Sequence, residues 1–335
     1  MKFLIVGLGS MGNRRIRNLL KLNCKDIIGF DPKLDRITTV SKKFNIPTFL
    51  KIDDALREEP HVMIISTPPD LHKKYAELAI KNNLHFFMEV NMFSKDTLSI
   101  IKKLKNKNII GAPSCTMQFH PVVKSLQKLI KKNSIGDILA IEHHTGQYLP
   151  SWHPWEKIDD FYVSKKETGG AREMVPVELV WLIHLFSNVK SVIGIQGKIS
   201  SLPVDIDDFY HIFLEFKNKI SCHLLIDVFS QPTFRETKIV GESGSILCDF
   251  FKNTISINNG KGWKTQKLLI GKYAKGYAKK IPESMYEEEI KAFINAIKGL
   301  KKYPHTLKNE LNLLNILDAI EKSNKTGKKI ETIFI

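Results

Sequence analysis

The chain has 335 residues, 43% hydrophobic and 26% charged, a composition typical of a folded globular protein. Its net charge of +16 rests on lysines scattered along the chain, with only seven arginines, which excludes an Arg-rich nucleic-acid surface as its explanation. No apolar run approaches the ~20 residues of a membrane span, the N-terminus has no signal cleavage site, and the four cysteines form no CxxC pair, so we expect a reduced cytoplasmic protein without a metal site.

The first 120 residues alternate short apolar runs with amphipathic stretches. This alternation is typical of parallel strands joined by crossover helices. It predicts a doubly wound Rossmann sheet in an N-terminal dinucleotide-binding domain, residues 1–120. The predicted strands are 2–7, 26–30, 48–50, 62–66, 85–90 and 109–112, and the predicted helices are 12–22, 34–44, 53–59, 71–82 and 95–105.

Beyond residue 121 strands dominate. Several alternate with period two and are joined by turn residues, which predicts an α+β domain, residues 121–335, with a large, mostly antiparallel open sheet. The predicted strands are 138–144, 191–199, 209–216, 220–228, 237–240, 246–250, 254–257 and 267–270, and the predicted helices are 122–132, 176–186, 283–297 and 306–323. Because an open sheet often becomes a subunit interface, we expect a homo-dimer or homo-tetramer.

A glycine-rich turn lies between the first predicted strand and helix. It has the pattern GxGxxG and consists of Gly7, Leu8, Gly9, Ser10, Met11 and Gly12. Glycines allow the backbone to approach a pyrophosphate, and the helix N-terminus offers free N–H groups to it. Asp31 ends the second strand, 19 residues after Gly12, where a carboxylate can bind a ribose 2′-hydroxyl. The pattern predicts NAD, while NADP stays open because four basic residues are close in sequence: Arg14, Arg15, Lys33 and Arg36.

The strand 62–66 runs into Ser66, Thr67, Pro68 and His72, in the order (T/S)PxxxH. Glu89 ends the next strand, and Gly169–Gly170 precedes a helix. This order of motifs, over the whole chain, resembles the Gfo/Idh/MocA family of oxidoreductases. The resemblance implies a nicotinamide enzyme acting on a sugar, cyclitol or sugar nucleotide held between its domains, and it places Ser66, Thr67, Pro68, His72 and Glu89 at the cofactor.

The chain departs from that family where protons are transferred. The family's lysine after the glutamate aligns with Val90, and the following proline aligns with Asn91. In the later helix, Val175 and Glu178 stand where the family commonly has Asp and His. The usual Lys–Asp–His set is therefore absent by this alignment, although the dinucleotide motif is intact.

Groups that could replace the missing Lys–Asp–His set are expected in the polar, aromatic stretch 148–178, because long irregular segments are often functional. Glu178, placed in the first turn of the predicted helix, and His153, whose ordinary pKa lies near neutrality, are the candidate catalytic residues. Alternatively Glu178 is a helix-capping charge and His153 a solvated loop residue. Gln118, Tyr148, Trp152 and Arg172 are candidate substrate-binding residues, with hinge packing, loop anchoring or ion pairing as the structural alternatives.

Three functions remain open at this point. The retained polar stretch favours an atypical oxidoreductase acting on a CH–OH group, with an altered catalytic set. Loss of Lys, Asp and His together would also suit a non-catalytic dinucleotide-binding sensor or partner subunit. A reductase of an imine or enone would need the lysine less.

Overall fold

The computed structural model describes residues 1–152, 157–269 and 281–334. Contacts within the chain define two compact units. The first combines Met1–Thr116 with Tyr286–Leu311, and the second combines Met117–Met285 with Asn312–Ile335. In the described ranges no helix is both long and apolar enough to cross a bilayer.

The first unit contains a six-stranded parallel sheet, counted over the described residues, in the order β3-β2-β1-β4-β5-β6. This is the order of a Rossmann fold, and the predicted doubly wound sheet is confirmed. Its strands are β1 (Phe3–Val6), β2 (Ile27–Phe30), β3 (Thr48–Phe49), β4 (Val62–Ile65), β5 (His85–Met88) and β6 (Gly111–Pro113). Its crossover helices are α1 (Ser10–Lys21), α2 (Leu34–Phe44), α3 (Ile52–Arg57), α4 (His72–Lys81) and α5 (Ser94–Leu104).

Helices cover the faces of this sheet, so its central strands are apolar at every position. All four residues of β1 and of β4 are buried. Such continuous burial is expected for parallel strands packed between two helical layers. The carboxyl ends of β1, β2 and β4 therefore form one edge, and the candidate cofactor residues follow these strand ends.

The second unit contains a nine-stranded sheet within the described residues, ordered β14-β13-β12-β11-β7-β10-β9-β8-β15. Its β7 and β10 pair in parallel, and the other neighbours pair antiparallel, as predicted for the sheet as a whole. The strands are β7 (Ile138–Tyr148), β8 (Val189–Gly197), β9 (Phe209–Phe216), β10 (Ser221–Asp227), β11 (Phe229–Gly241), β12 (Gly244–Asp249), β13 (Thr254–Asn258), β14 (Trp263–Lys267) and β15 (Ile330–Glu331).

Four further helices follow in chain order: α6 (Pro121–Lys131), α7 (Gly170–Phe186), α8 (Glu283–Ile297) and α9 (Leu307–Thr326). Most of α8 and the first turn of α9 belong to the first unit.

Helix α7 begins at Gly170, six residues before the predicted start, and Pro176 lies inside it. The prediction placed Pro176 in the first turn, where its missing N–H costs nothing; that placement was wrong. A contact outside the helix stabilises the additional residues 170–175, because the Ala171 amide donates a hydrogen bond to the Asp207 carbonyl at 3.3 Å. Glu178 consequently lies in the middle of α7, so the helix dipole does not stabilise its charge.

One face of the nine-stranded sheet packs against α7, and the opposite face carries exposed apolar side chains. Two rows of residues cross this open face in register, one through Ile193, Phe213 and His223, the other through Ile195 and His211. Ile195 is 55% exposed and Phe213 50% exposed. The residues of these rows thus form one surface on strands β8, β9 and β10, which contains the exposed apolar side chains of Ile193, Ile195 and Phe213.

Candidate functional site

The turn between β1 and α1 contains two glycines, Gly7 and Gly12, that admit no side chain. Gly7 has φ +90°, and a Cβ there would lie 2.7 Å from the Ser66 carbonyl oxygen. A Cβ on Gly12 would lie 1.9 Å from the Gly7 carbonyl oxygen. A Cβ on Gly9 would meet its nearest atom, Arg36 Nη1, only at 3.6 Å, so that side of the turn is open. A tight turn with an open glycine before a helix N-terminus fits a pyrophosphate.

Asp31 closes this turn from the end of β2. Its buried carboxylate accepts hydrogen bonds from the Leu8 amide at 2.9 Å and from the Lys33 amide at 2.9 Å. Arg36 Nη1 lies 3.4 Å from the same carboxylate. These contacts hold Asp31 beside the glycine turn, the position expected of a ribose-binding carboxylate.

The segment after β4 contains two buried hydroxyls. Ser66 Oγ and Thr67 Oγ1 have no hydrogen-bond partner among the described residues. His72 Nε2 contacts the Thr67 carbonyl oxygen at 2.9 Å, and burial lowers the pKa of His72 to about 4, so its ring is neutral and donates this bond. His72 therefore fixes the Thr67 backbone. Buried hydroxyls without a protein partner are groups that a bound ligand would satisfy, so this segment fits a dinucleotide.

The other residues predicted to bind the cofactor lie close to the glycine turn or follow β4. Leu8 is buried, its side chain touching the position a Gly29 Cβ would take. Ser10 is the first residue of α1, and Met11 Sδ accepts from Arg14 Nη1 at 3.3 Å. Pro68 directly precedes the short helical turn Pro69–Leu71.

Glu89 lies in a buried ion cluster of the first unit. Arg15 donates from Nε to Glu89 Oε1 at 2.6 Å and from Nη2 to Glu89 Oε2 at 2.9 Å. The same Nη2 donates to Glu289 of α8 at 2.9 Å. Glu289 also accepts from the side chains of Ser114 and Thr116 and from the Cys115 amide. The sequence left Arg15 as either a 2′-phosphate ligand or a solvated surface residue, and the structure buries it completely. No sequence signal pointed to Glu289, which is 274 residues from Arg15.

In the second unit, Glu178 forms the centre of a buried polar cluster. Its Oε1 lies 2.9 Å from Arg235 Nη2. Its Oε2 lies 3.0 Å from His143 Nε2 and accepts from Trp181 Nε1 at 2.9 Å. Arg235 Nε in turn donates to Thr145 Oγ1 at 3.3 Å. Sequence reasoning found Glu178 but missed Arg235 and His143, which reach it from neighbouring strands β11 and β7.

This environment keeps Glu178 ionised. Burial alone would raise its pKa, but the Arg235 guanidinium, His143 and the Trp181 hydrogen bond together lower the pKa to about 2. A fully buried carboxylate with a positive charge or a donor at each oxygen is a weak proton acceptor near neutral pH. The geometry gives Glu178 the role of fixing Arg235, whose side chain retains 12% exposure.

The Glu178→Gln variant is expected to lose about 1–3 kcal/mol of unfolding free energy at neutral pH, because a charge-assisted network loses its charge. The folded pKa of about 2 lies below the ordinary 4.5, so this stabilisation is present above pH 4.5 and disappears as pH falls towards 2. Urea unfolding at pH 7 and pH 3 measures it. The control is Glu142→Gln, an exposed carboxylate of the same unit, expected to change stability by less than about 0.5 kcal/mol. Equal stability of Glu178→Gln and wild type at pH 7 would contradict the assignment.

The remaining predicted substrate residues are dispersed. Gln118 Nε2 donates to the Val180 carbonyl at 3.3 Å, and its Oε1 is buried without a partner among the described residues. Tyr148 ends β7 opposite Phe229, and Trp152 follows it by four residues. Arg172 pairs with Glu321 of α9 at 2.5 Å. His153 lies outside the described residues.

Arg172 also donates to the Glu167 carbonyl at 2.8 Å, so its guanidinium connects the start of α7 both to α9 and to the segment that precedes α7.

Within the described ranges, no cluster of three or more His, Cys, Asp or Glu side chains is arranged to hold a metal ion.

Two family models match this chain, one in each predicted domain. Residues 1–107 match the family described as "Oxidoreductase family, NAD-binding Rossmann fold", and residues 123–247 match the "GFO/IDH/MocA C-terminal domain". The two matches are consecutive and belong to the two parts of one family architecture.

Individual relatives have low sequence identity to this chain. A 2,7-anhydro-N-acetylneuraminate hydratase from Escherichia coli is 26% identical over 267 residues, covering 76% of this chain and 69% of the relative. A levoglucosan dehydrogenase structure in complex with NADH has a TM-score of 0.86 at 16% identity, with 100% of both chains covered. An Agrobacterium radiobacter oxidoreductase in complex with NAD+, L-tartaric acid and magnesium has a TM-score of 0.86 at 12% identity, covering 99% and 98%. At such identities the structural likeness shows the shared fold. With both family domains matched in order, the chain belongs to the Gfo/Idh/MocA family of oxidoreductases and carries an NAD-binding Rossmann domain at its N-terminus.

Proposed function

We propose that this protein is an NAD-dependent oxidoreductase that interconverts a hydroxyl and a keto carbon on a sugar, cyclitol or sugar nucleotide. The observation that carries the proposal is the glycine turn closed by Asp31, beside two buried hydroxyls that have no partner among the described residues. The named ligands of the structural relatives, levoglucosan and L-sorbose, support the sugar-like substrate class.

The cofactor would be held by residues already described. The open side of Gly9, with Ser10 and Met11 at the start of α1, would receive the pyrophosphate, and Asp31 the adenosine ribose. Ser66, Thr67 and Pro68 would bind beyond the end of β4, with Glu89 and His72 supporting that segment. When bound, the nicotinamide supplies the hydride acceptor or donor.

Asp31 favours NAD over NADP, because its carboxylate would repel a 2′-phosphate. Two of the basic residues that left the choice open are turned elsewhere, since Arg15 pairs with Glu89 and Arg14 stacks on the Tyr286 ring at 4.1 Å. Arg36 is the basic side chain that contacts Asp31 itself. The charge of Arg36 is partly used by that contact, which supports NAD as the preferred cofactor.

The substrate would be bound by the second unit through Gln118, Tyr148, Trp152 and Arg235, with Arg172 holding the start of α7. By the resemblance in sequence, Val90 stands at the family's lysine position, and we propose that a different group accepts the hydroxyl proton. His153 remains a candidate for that role. Glu178 contributes by orienting Arg235 rather than by exchanging protons, since its pKa is held to about 2.

The experiment is mass spectrometry of a small-metabolite extract incubated with the protein and NAD+. A product two hydrogens lighter than its substrate, with NADH formed in equal amount, is the expected result. The hydratase among the relatives suggests a second candidate, a reaction without net redox change, which would give a product one water heavier and no NADH. An extract unchanged with NAD+ and with NADP+ would contradict the proposal and favour a non-catalytic binder.

We also propose that two copies associate through the open face of the nine-stranded sheet, giving a homo-dimer or a homo-tetramer built from it. Its exposed apolar residues on the adjacent strands β8 and β9, Ile193, Ile195 and Phe213, support this assembly. A Phe213→Glu variant is expected to sediment as a smaller species than wild type, because a charge is then buried at the interface. Identical sedimentation of the two proteins, each at a monomer mass, would contradict it.

A further inference from the structure

Glu173 lies in the first turn of α7. Its Oε1 accepts a hydrogen bond from Tyr162 Oη at 2.6 Å. Its Oε2 is buried and has no hydrogen-bond partner among the described residues. One oxygen of this carboxyl is therefore held in place while the other is left unpaired, an arrangement that costs stability and calls for an explanation.

The segment 162–169 is packed so that Tyr162 reaches this carboxyl. A Cβ on Gly169 would lie 1.8 Å from the Val163 carbonyl oxygen, so only glycine lets the short helical turn Tyr162–Ser164 lie directly on the start of α7. Thr168 Oγ1 donates to the Tyr162 carbonyl at 2.8 Å and fixes the same turn. The pairing of Tyr162 with Glu173 thus results from the close packing of this turn on the start of α7.

Among the described residues, no cation is paired with Glu173. Its neighbour Arg172 is directed to Glu321, and Lys166 lies 3.9 Å from Asp207. Burial raises the pKa of Glu173, and the hydrogen bond from Tyr162 lowers it in part. The resulting pKa is about 7. Glu173 therefore exchanges its proton at the pH where an enzyme works, whereas Glu178 does not.

We propose that Glu173, oriented by Tyr162, is the general base that takes the hydroxyl proton of the sugar-like substrate. The inference rests on the proposed function and names a group for the role that Val90 cannot fill. The carbinol O–H bond breaks and its proton passes to the unpaired Oε2. The adjacent C–H bond breaks and its hydrogen leaves with both electrons to NAD+. The products are the ketone, NADH and a neutral Glu173 carboxyl, and the reverse sequence reduces the ketone.

Other titratable groups of the second unit fit this role less well. His120 accepts from the Val122 amide at 3.2 Å as the cap of α6, and burial, with the nearby Arg235 charge, lowers its pKa to about 3. Glu178 is held by Arg235, His143 and Trp181. Glu178 Oε1 also lacks a hydrogen bond, but it is ion-paired with Arg235, whereas Glu173 Oε2 has neither a hydrogen bond nor an ion pair in the described part of the chain.

The first measurement needs no substrate. In the 335-residue protein labelled with ¹³C at glutamate carboxyl groups, the resonance that Glu173→Gln removes is expected to titrate with a midpoint near 7. In Tyr162→Phe that midpoint is expected to move to higher pH, because the hydrogen bond that lowers the pKa is gone. Titration of this resonance near 4.5, the ordinary glutamate value, would overturn the proposal.

The second measurement is the pH dependence of kcat/KM for NAD+ reduction with levoglucosan, L-sorbose or the carbinol identified in the extract. In wild type, kcat/KM is expected to rise as pH passes through about 7, because the base must be ionised. Glu173→Gln is expected to lower kcat/KM by about 10²- to 10⁴-fold and to remove this rise. The control is Glu167→Gln, at a neighbouring exposed glutamate, which is expected to keep both the wild-type kcat/KM and its rise with pH.

The two possible failures are distinguishable. If wild type and Glu173→Gln show the same rate and the same pH profile, the role of Glu173 is overturned and the proposed function stands. If wild type converts no carbinol with either cofactor, the proposed function is overturned and the role of Glu173 with it.

Discussion

Gly9→Ala is expected to weaken NADH binding by at least about tenfold, equivalent to about 1.4 kcal/mol, while leaving the fold intact. A methyl group at this position meets no described protein atom closer than Arg36 Nη1 at 3.6 Å, which is an ordinary contact. It would instead occupy the space where the backbone approaches the pyrophosphate. Titration of NADH fluorescence measures the affinity, and thermal unfolding without cofactor measures the fold.

Gly12→Ala is the matched comparison, because its methyl group collides with protein rather than with cofactor. The added Cβ would lie 1.9 Å from the Gly7 carbonyl oxygen, so the β1–α1 turn must shift. We expect this variant to lose about 1–3 kcal/mol of stability in the absence of NADH. If Gly9→Ala bound NADH as wild type does, the glycine turn would not be the pyrophosphate site.

Arg15→Met is expected to destabilise the first unit by about 3–5 kcal/mol, the usual cost of removing one partner of a buried ion cluster. The Arg15 side chain is fully buried, and its loss leaves Glu89 and Glu289 facing each other without a cation. Burial already raises the pKa of Glu289 above its ordinary value. The deficit should therefore shrink as pH falls towards 5, because protonation removes the repulsion.

Lys21→Met is the control for this prediction. Lys21 pairs with Glu287 of α8 at 2.6 Å but is 65% exposed, so its loss should cost under about 1 kcal/mol. Urea unfolding of both variants at pH 7 and pH 5 makes the comparison. An Arg15→Met variant within about 1 kcal/mol of wild type would show that the cluster does not stabilise the unit.

Local patterns in the sequence were sufficient to predict most of the fold. The buried runs of β1 and β4, the glycine turn and the predicted helix 283–297 all depend on residues close together in the chain, and α8 occupies that range. The start of α7 could not be found this way. Its first turn is fixed by Asp207 and Glu321, which are distant in sequence, while Pro176 gave a misleading local signal.

The same limit applied to the candidate sites. Asp31 was placed correctly at the glycine turn because strand, turn and carboxylate follow one another in sequence. Glu178 was singled out as a candidate catalytic residue in the first turn of the predicted helix. It lies in the middle of α7 instead, and its partners Arg235 and His143 come from strands β11 and β7. Glu173 was passed over because its unusual environment depends on how residues 162–169 fold back onto α7, which no periodicity encodes.

Hydride transfer to the nicotinamide is measured most directly as absorbance at 340 nm, with purified protein, a sugar-like carbinol such as levoglucosan or a metabolite fraction, and either NAD+ or NADP+. We expect a rise in absorbance that is faster with NAD+ and is reduced in Gly9→Ala. Absence of any rise with both cofactors, in a protein that binds NADH in the fluorescence titration, would contradict an oxidoreductase acting on a carbinol.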